Sequence, residues 1–305
     1  MTRLKADLLI VLVTLIWGTT FVAQNLAMQS LGPSMFTGIR FLIGAVVVSP
    51  FAVMEWRRLK ASGVSFDRTD IVIGIGLGCL LFFGAFCQQT GIVTTTVSNA
   101  GFLTGLYVLL VPTLAFLIHG IRPHISLLPA IAVSIVGTWL LSGGELSSLS
   151  VGDLWVIVGT LFWAAHILYV GRAADRKAAP LCVAMLQFVV CGVIGCAFGL
   201  ATEPFQFSDV MEVGGAVAYA GVLSVGIAFT LQVIAQRHTP PTDAAILMSA
   251  EMLVAAIAGA VYLGERLTST QWAGGLLILV SIMISQLVPM FATATARRAA
   301  AKNSV

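Results

Sequence analysis

Apolar runs of about twenty residues recur along this chain from end to end, and a helix of that length crosses ~30 Å of hydrocarbon. Ten such runs are predicted, over residues 7–28, 34–54, 71–90, 98–118, 125–143, 153–173, 180–201, 213–236, 242–263 and 271–291. The composition agrees with this reading. Of 305 residues, 58% are hydrophobic and 10% charged, against about 25% charged in a soluble domain. The longest polar connector, "EWRRLKASGVSFDRTD", is too short to be a domain. The fold class is therefore all-α and integral to a membrane, with ten transmembrane helices in one bundle.

The basic residues set an orientation. With ten spans both termini lie on one side, and 14 of the 16 lysines and arginines fall there, from Arg3 and Lys5 to Arg297, Arg298 and Lys302. Arg266 falls opposite and Arg40 lies inside a span. The positive-inside rule puts both termini in the cytoplasm of a multi-pass inner (plasma) membrane protein. The basic, apolar N-terminus looks like a signal peptide, but its apolar run is long and no A-x-A site follows, so it is read as the first span. Cys79, Cys87, Cys182, Cys191 and Cys196 all sit in apolar runs without C-x-x-C or histidine spacing; buried free thiols are expected, with no metal and no cofactor. A net charge of +3 without aromatic-interleaved basic runs gives no case for nucleic acid.

The chain repeats itself. "DLLIVLVTLIWGTTFV" from Asp7 lies over "DLWVIVGTLFWAAHIL" from Asp153, so that Asp7/Asp153, Thr14/Thr160 and Trp17/Trp163 coincide. "NAGFLTGLYVLLVPTLAFLIHGIRP" from Asn99 lies over "DAAILMSAEMLVAAIAGAVYLGERL" from Asp243. The period is five spans. Five is odd, so the second unit enters the membrane from the opposite side, giving two inverted five-helix repeats, residues 1–146 and 147–292, and a cytoplasmic tail, 293–305.

These motifs resemble the drug/metabolite transporter superfamily, and within it the EamA-type ten-helix carriers. "LIWGTTFV" is similar to that family's Trp-Gly-x-x-Phe opening. Glu251-Met252, Leu263-Gly264-Glu265-Arg266 and Gln271-Trp272-Ala273-Gly274 are similar to its most recognisable block. Met252 stands where the family has proline, which removes the expected proline kink beside Glu251, and Pro112 is a candidate kink in span four instead. Gly120-Ile121-Arg122 lacks the glutamate of Gly264-Glu265-Arg266. The resemblance implies export of small metabolites, often amino acids, through a cavity between the halves lined mainly by spans 1, 3, 4, 6, 8 and 9.

Polar residues inside spans turn inward, and they nominate the site. Glu251 lies about 12 Å and 18 Å from the two ends of its span, near the midplane. It reads equally as a partner for a substrate ammonium or a proton, and as a structural ion pair or hydrogen bond. Trp17, Thr20, Phe21 and Gln24 share one helix face by their i, i+3, i+4, i+7 spacing. Trp163 and His166 repeat that spacing in span six. Gln88, Tyr107 and Gln232 complete the candidate substrate-binding set, and the aromatic-plus-polar mixture suits an amphipathic amino acid. Arg40 reads either as a side chain snorkelling to the interface or as an anion contact inside the bundle. Its estimated depth differs from that of Glu251 by ~8 Å, which argues against pairing the two. Glycines in spans three and seven, with Ala255 and Gly259 in span nine, read as close helix contacts.

No H-E-x-x-H, G-x-S-x-G or P-loop occurs, so no enzyme activity is expected. The sequence points to a secondary transporter working by alternating access on a small-molecule substrate. Its driving force is either proton exchange or the solute's own gradient, and a monomer is the simplest assembly. The alternatives are an uncoupled channel or facilitator and, more remotely, an integral-membrane enzyme.

Overall fold

The computed structural model describes residues 1–305 apart from 142, 144–148, 178, 240–243, 245–246 and 303–305. The proposed boundary between the two units, residue Asp243 of the repeat and the last residues of the tail fall outside the described residues. The rest is helical, and no strand occurs among the described residues. The helices are α1 (Arg3–Ala27), α2 (Pro33–Ala61), α3 (Arg68–Ile92), α4 (Val97–Thr104), α5 (Tyr107–His119), α6 (Leu127–Leu141), α7 (Val151–Arg176) and α8 (Pro180–Thr202). They continue with α9 (Phe207–Glu212), α10 (Gly214–Ala218), a π-helix (Tyr219–Phe229), α11 (Thr230–Ala235), α12 (Glu251–Leu263) and α13 (Ser269–Lys302).

Eight helical stretches are long and apolar enough to cross a membrane, counting α4 with α5 and α10 through α11 as continuous. The fifth predicted span is shorter than expected: its helix runs Leu127–Leu141, where 18 or more residues were expected. The ninth runs Leu247–Leu263 among the described residues, and most of its predicted start lies outside them. The tenth runs on past its apolar stretch, Ser269–Pro289, so helix enters the segment expected to be a tail.

Apolar residues face outward as well as inward, as hydrocarbon requires. On α1, Leu8, Leu12 and Leu15 form an exposed stripe, while Thr14, Thr20 and Gln24 are buried. The most extensive helix pair is α2 against α8. Contacts run from Met35 against Gly199, through Gly38 against Gly195 and Leu42 against Gly192, to Ala52 against Cys182, so the two helices are antiparallel. A Cβ on Gly38 would lie 2.3 Å from the Cys196 amide nitrogen, and backbone-to-backbone approach of this kind admits only glycine. Gly74 and Gly78 of α3 likewise receive Leu186 and Val190 of α8.

The same pair satisfies its own ends. The first amides of a helix have no intrahelical acceptor, and in a membrane each unmet donor is costly. Glu203, just past the end of α8, accepts from the Ser34 and Met35 amides of α2 at 2.8 and 2.9 Å. Glu55, near the end of α2, accepts from the Leu181 and Cys182 amides of α8, both at 2.9 Å. Pro33 and Pro180 occupy the first turns of these two helices, where proline's missing N–H costs nothing. Glu265, which has no counterpart after Gly120, performs the same service for α4 by accepting from the Val97 and Ser98 amides at 2.7 and 3.0 Å.

At one end of the bundle, Lys177 bridges Asp67 and Asp70 at 2.8 and 2.9 Å, and Arg176 contacts Asp70 at 3.1 Å. This ties the start of α3 to the end of α7. The hydrogen bond from Lys177 holds the Asp67 carboxyl well below the usual carboxylate range, and bonds to Asp67 and Asp70 raise Lys177 above the usual lysine value.

Two outcomes are expected. Gly38→Val should lower stability by at least ~1–3 kcal/mol through overpacking, read as a fall in detergent-phase melting temperature. A depressed carboxylate contributes its full stabilisation above its unfolded pKa of about 4 and loses it as pH falls towards the folded value. Lys177→Met should therefore flatten the acid limb of the melting-temperature profile below about pH 5.

Candidate functional site

Two interrupted helices frame the centre of the bundle. α4 and α5 meet at Gly105-Leu106, where Leu106 and Val108 donate to carbonyls three residues back instead of four. The Met252 methyl packs so close to Gly105 that a Cβ there would overlap it. A second turn precedes Glu251, where the Ala250 and Leu253 amides likewise bond three residues back. The interruption beside Glu251 thus forms without the proline that the sequence lacks. The first break lies at Gly105 and not at Pro112, which sits inside α5. Each break places a polar side chain at the start of the following helix: Tyr107 in one, Glu251 in the other.

All ten residues singled out from the sequence line one central cavity: Trp17, Thr20, Phe21, Gln24, Gln88, Tyr107, Trp163, His166, Gln232 and Glu251. The face predicted on α1 is the face that α1 presents. Five further residues join them, namely Arg40, Thr104, Ile167, Ser224 and Phe229. The volume open to the centres of water molecules is about 50 Å³.

The aromatic wall is organised by Phe229. Its ring centroid lies 4.5 Å from that of Trp17 and stacks at 6.0 Å on Trp163. The ring of His166 stands at right angles to it, 6.4 Å away. Phe229 is the last residue of the π-helix, a geometry concentrated at functional sites. The Ser224 carbonyl in the same segment accepts from Trp17 Nε1 at 3.2 Å. Trp17 and Trp163 each pack against both of the larger apolar clusters, so the wall stands where these clusters meet.

The polar wall is held from behind and left open in front. Gln88 donates to the Thr104 hydroxyl at 3.0 Å, and Gln232 donates to the Met248 sulfur at 3.7 Å. His166 Nε2 is paired with Gln187 Oε1 at 2.8 Å. Several buried polar atoms have no protein partner: Gln24 Oε1, Gln232 Oε1, Trp163 Nε1, His166 Nδ1 and Arg40 Nε. Each belongs to a residue of the cavity lining, and a buried donor or acceptor without a partner is uncommon in a folded protein. Glu251, 4% exposed, interacts electrostatically with Tyr107, although no hydrogen bond of good geometry closes between them.

Of the two sequence readings of Arg40, snorkelling is excluded: it is 4% exposed, lies 5.1 and 5.3 Å from the ring centroids of Phe36 and Phe41, and lines the cavity. Phe229 carried no sequence signal, since nothing distinguishes it from other apolar residues of its span. The five cysteines are free; Cys87 and Cys191 are buried as expected, whereas Cys79, Cys182 and Cys196 are only partly buried.

The EamA-like transporter family matches this chain twice, over residues 4–143 and 150–287. An uncharacterized transporter of Archaeoglobus fulgidus is 29% identical over 286 residues, covering 93% of this chain and 87% of the relative. The uncharacterized inner membrane transporter YicL of Salmonella typhimurium is 28% identical over 302 residues, covering 93% and 95%. The threonine/homoserine exporter RhtA of the same organism is 29% identical over 146 residues, 46% of this chain and 48% of that one. A solved crystal structure with 20% sequence identity superposes with a TM-score of 0.67, covering 94% of this chain and 98% of that one, which is a likeness of fold. With apolar helices gathered around a polar cavity and one family matching both halves of its length, this chain belongs to the EamA-like transporter family, within the drug/metabolite transporter superfamily, and is a membrane transporter.

Proposed function

We propose that the chain is a secondary transporter that exports small metabolites, amino acids foremost, across the inner membrane by alternating access. The observation that carries the proposal is the central cavity. It is lined by aromatic rings and by residues with unpartnered polar atoms, and it sits at the breaks of two helices.

We read the architecture as ten spans in two inverted units, 1–146 and 147–292. Several bonds support that reading by recurring at equivalent positions. Asp153 accepts from the Thr95 hydroxyl, and Asp7 accepts from the Thr239 hydroxyl at 2.9 Å. The reciprocal caps of Glu55 and Glu203 relate α2 and α8 in the same way. The repeat aligned Asn99 with Asp243, and that register puts Tyr107 and Glu251, the residues after the two breaks, at equivalent positions. The double family match has the same spacing. The basic residues at the chain ends and alternate connectors support cytoplasmic termini, and the name of YicL is in keeping with an inner-membrane location.

The name of RhtA, a threonine/homoserine exporter, favours amino acids as substrate, although the match covers about half of each chain. In this scheme Glu251 meets a substrate ammonium or exchanges a proton between the two states of the carrier, and the two units rock around the cavity as a monomer.

Reconstituted protein should show saturable, counterflow-stimulated movement of labelled amino acids; conductance that never saturates would favour a channel. Glu251→Gln should reduce transport by about tenfold or more, the scale of one charge-assisted hydrogen bond, and should flatten its pH dependence. Unchanged transport and pH profile would remove Glu251 from the mechanism. Trp163→Ala should raise KM by roughly tenfold; wild-type kinetics would contradict the assignment of that wall to substrate.

A further inference from the structure

Arg40 is an uncompensated buried cation. No carboxylate lies within salt-bridge distance of it among the described residues, and its Nε has no acceptor. A guanidinium stays charged at any physiological pH, so it cannot escape this cost by losing a proton. Phe36 and Phe41 return part of the cost through their π faces, at 5.1 and 5.3 Å. The remainder is a standing demand for an anion. Packing alone does not require such a group, since a buried charge without a partner lowers stability.

The same cavity holds one carboxylate, Glu251, and the two are not joined in an ion pair. Two opposite charges in one small cavity would ordinarily neutralise each other by pairing. Unpaired with each other, they present a guanidinium and a carboxyl group, the latter beside the Tyr107 hydroxyl, to a single ligand. The aromatic wall of Trp17, Trp163 and Phe229 lines the same space.

We propose that Arg40 is the carboxylate anchor of this site, and that Arg40 and Glu251 together select zwitterions, with the substrate's carboxylate on the guanidinium and its ammonium at Glu251. A guanidinium and a carboxylate match as parallel donors and acceptors, which a lysine cannot reproduce. The aromatic wall takes the substrate side chain. The preferred class is therefore free α-amino acids, with their amides, amines and deaminated acids discriminated against. This rests on the transport reading above and adds its basis of selection.

The test uses proteoliposomes of the full chain loaded with a ¹⁴C-labelled mixture of the common L-amino acids or, separately, with labelled L-leucinamide. Wild type should release the amino acids and discriminate against the amide by roughly ten- to a hundredfold, the scale of one charge-assisted hydrogen bond. Arg40→Gln should lose that ratio, and Arg40→Lys should recover part of it. Detergent-phase melting separates this role from a structural one. Arg40→Gln should melt at or above the wild-type temperature, because it removes an unpaired charge, and the amino-acid mixture should raise the melting temperature of wild type only. Equal release of amide and acid by wild type, or an unchanged ratio in Arg40→Gln, would overturn the anchor while leaving amino-acid transport standing. Lower melting of Arg40→Gln with an unchanged ratio would assign Arg40 to structure. Release of neither probe by wild type would overturn the anchor together with the amino-acid reading.

Discussion

Two carboxylates hold the frame of this protein together. Glu55 caps the helix that begins at Pro180, and Glu203 caps the helix that begins at Pro33, so each member of the antiparallel pair supplies the acceptor that the other lacks. In water these amides would be solvated and the arrangement would matter little. Near hydrocarbon an unmet donor is costly, and a carboxylate at a helix N-terminus gains from the dipole as well. Glycine contact at Gly38 and Gly195 brings the two backbones close enough for the caps to reach. Glu265 extends the same device to α4, whose far end is one of the two breaks at the cavity.

The interior divides its polar groups into two kinds. Some are spent on structure, such as Asp153 with Thr95 and Asp7 with Thr239, or the bond from Gln88 to Thr104. Others are left with free donors or acceptors at the centre, among them Trp163 Nε1, His166 Nδ1 and Arg40 Nε. Unmet donors and acceptors occur elsewhere in the bundle too, but these belong to residues that line one cavity.

Much of the candidate site was legible in the sequence because hydrocarbon is a severe filter. A glutamate or glutamine in a span has few places to go, so Gln24, Gln88, Gln232 and Glu251 could be nominated from type and position alone. Trp17, Thr20, Phe21 and Gln24 could be grouped because helix geometry fixes which residues share a face. The filter works only for polar groups. Phe229 is apolar in an apolar span, and only its packing against Trp17, Trp163 and His166 marks it out. Arg40 was visible, but depth counted along one helix axis says nothing of where a long side chain turns.

The sequence by itself determined that this chain lives in a membrane, which polar residues of several spans turn inward, and that its two halves carry related patterns. These follow from local quantities: hydropathy over twenty residues, helical period, and residue spacing. Only the tertiary structure decided where the helices break, which carboxylates cap which helices, and that Arg40 and Glu251 share a cavity without pairing. Those outcomes depend on neighbours more than a hundred residues away. Met252 against Gly105, Glu203 against Ser34 and Glu265 against Val97 are contacts that no local pattern encodes, because each exists only once two distant helices are packed against each other.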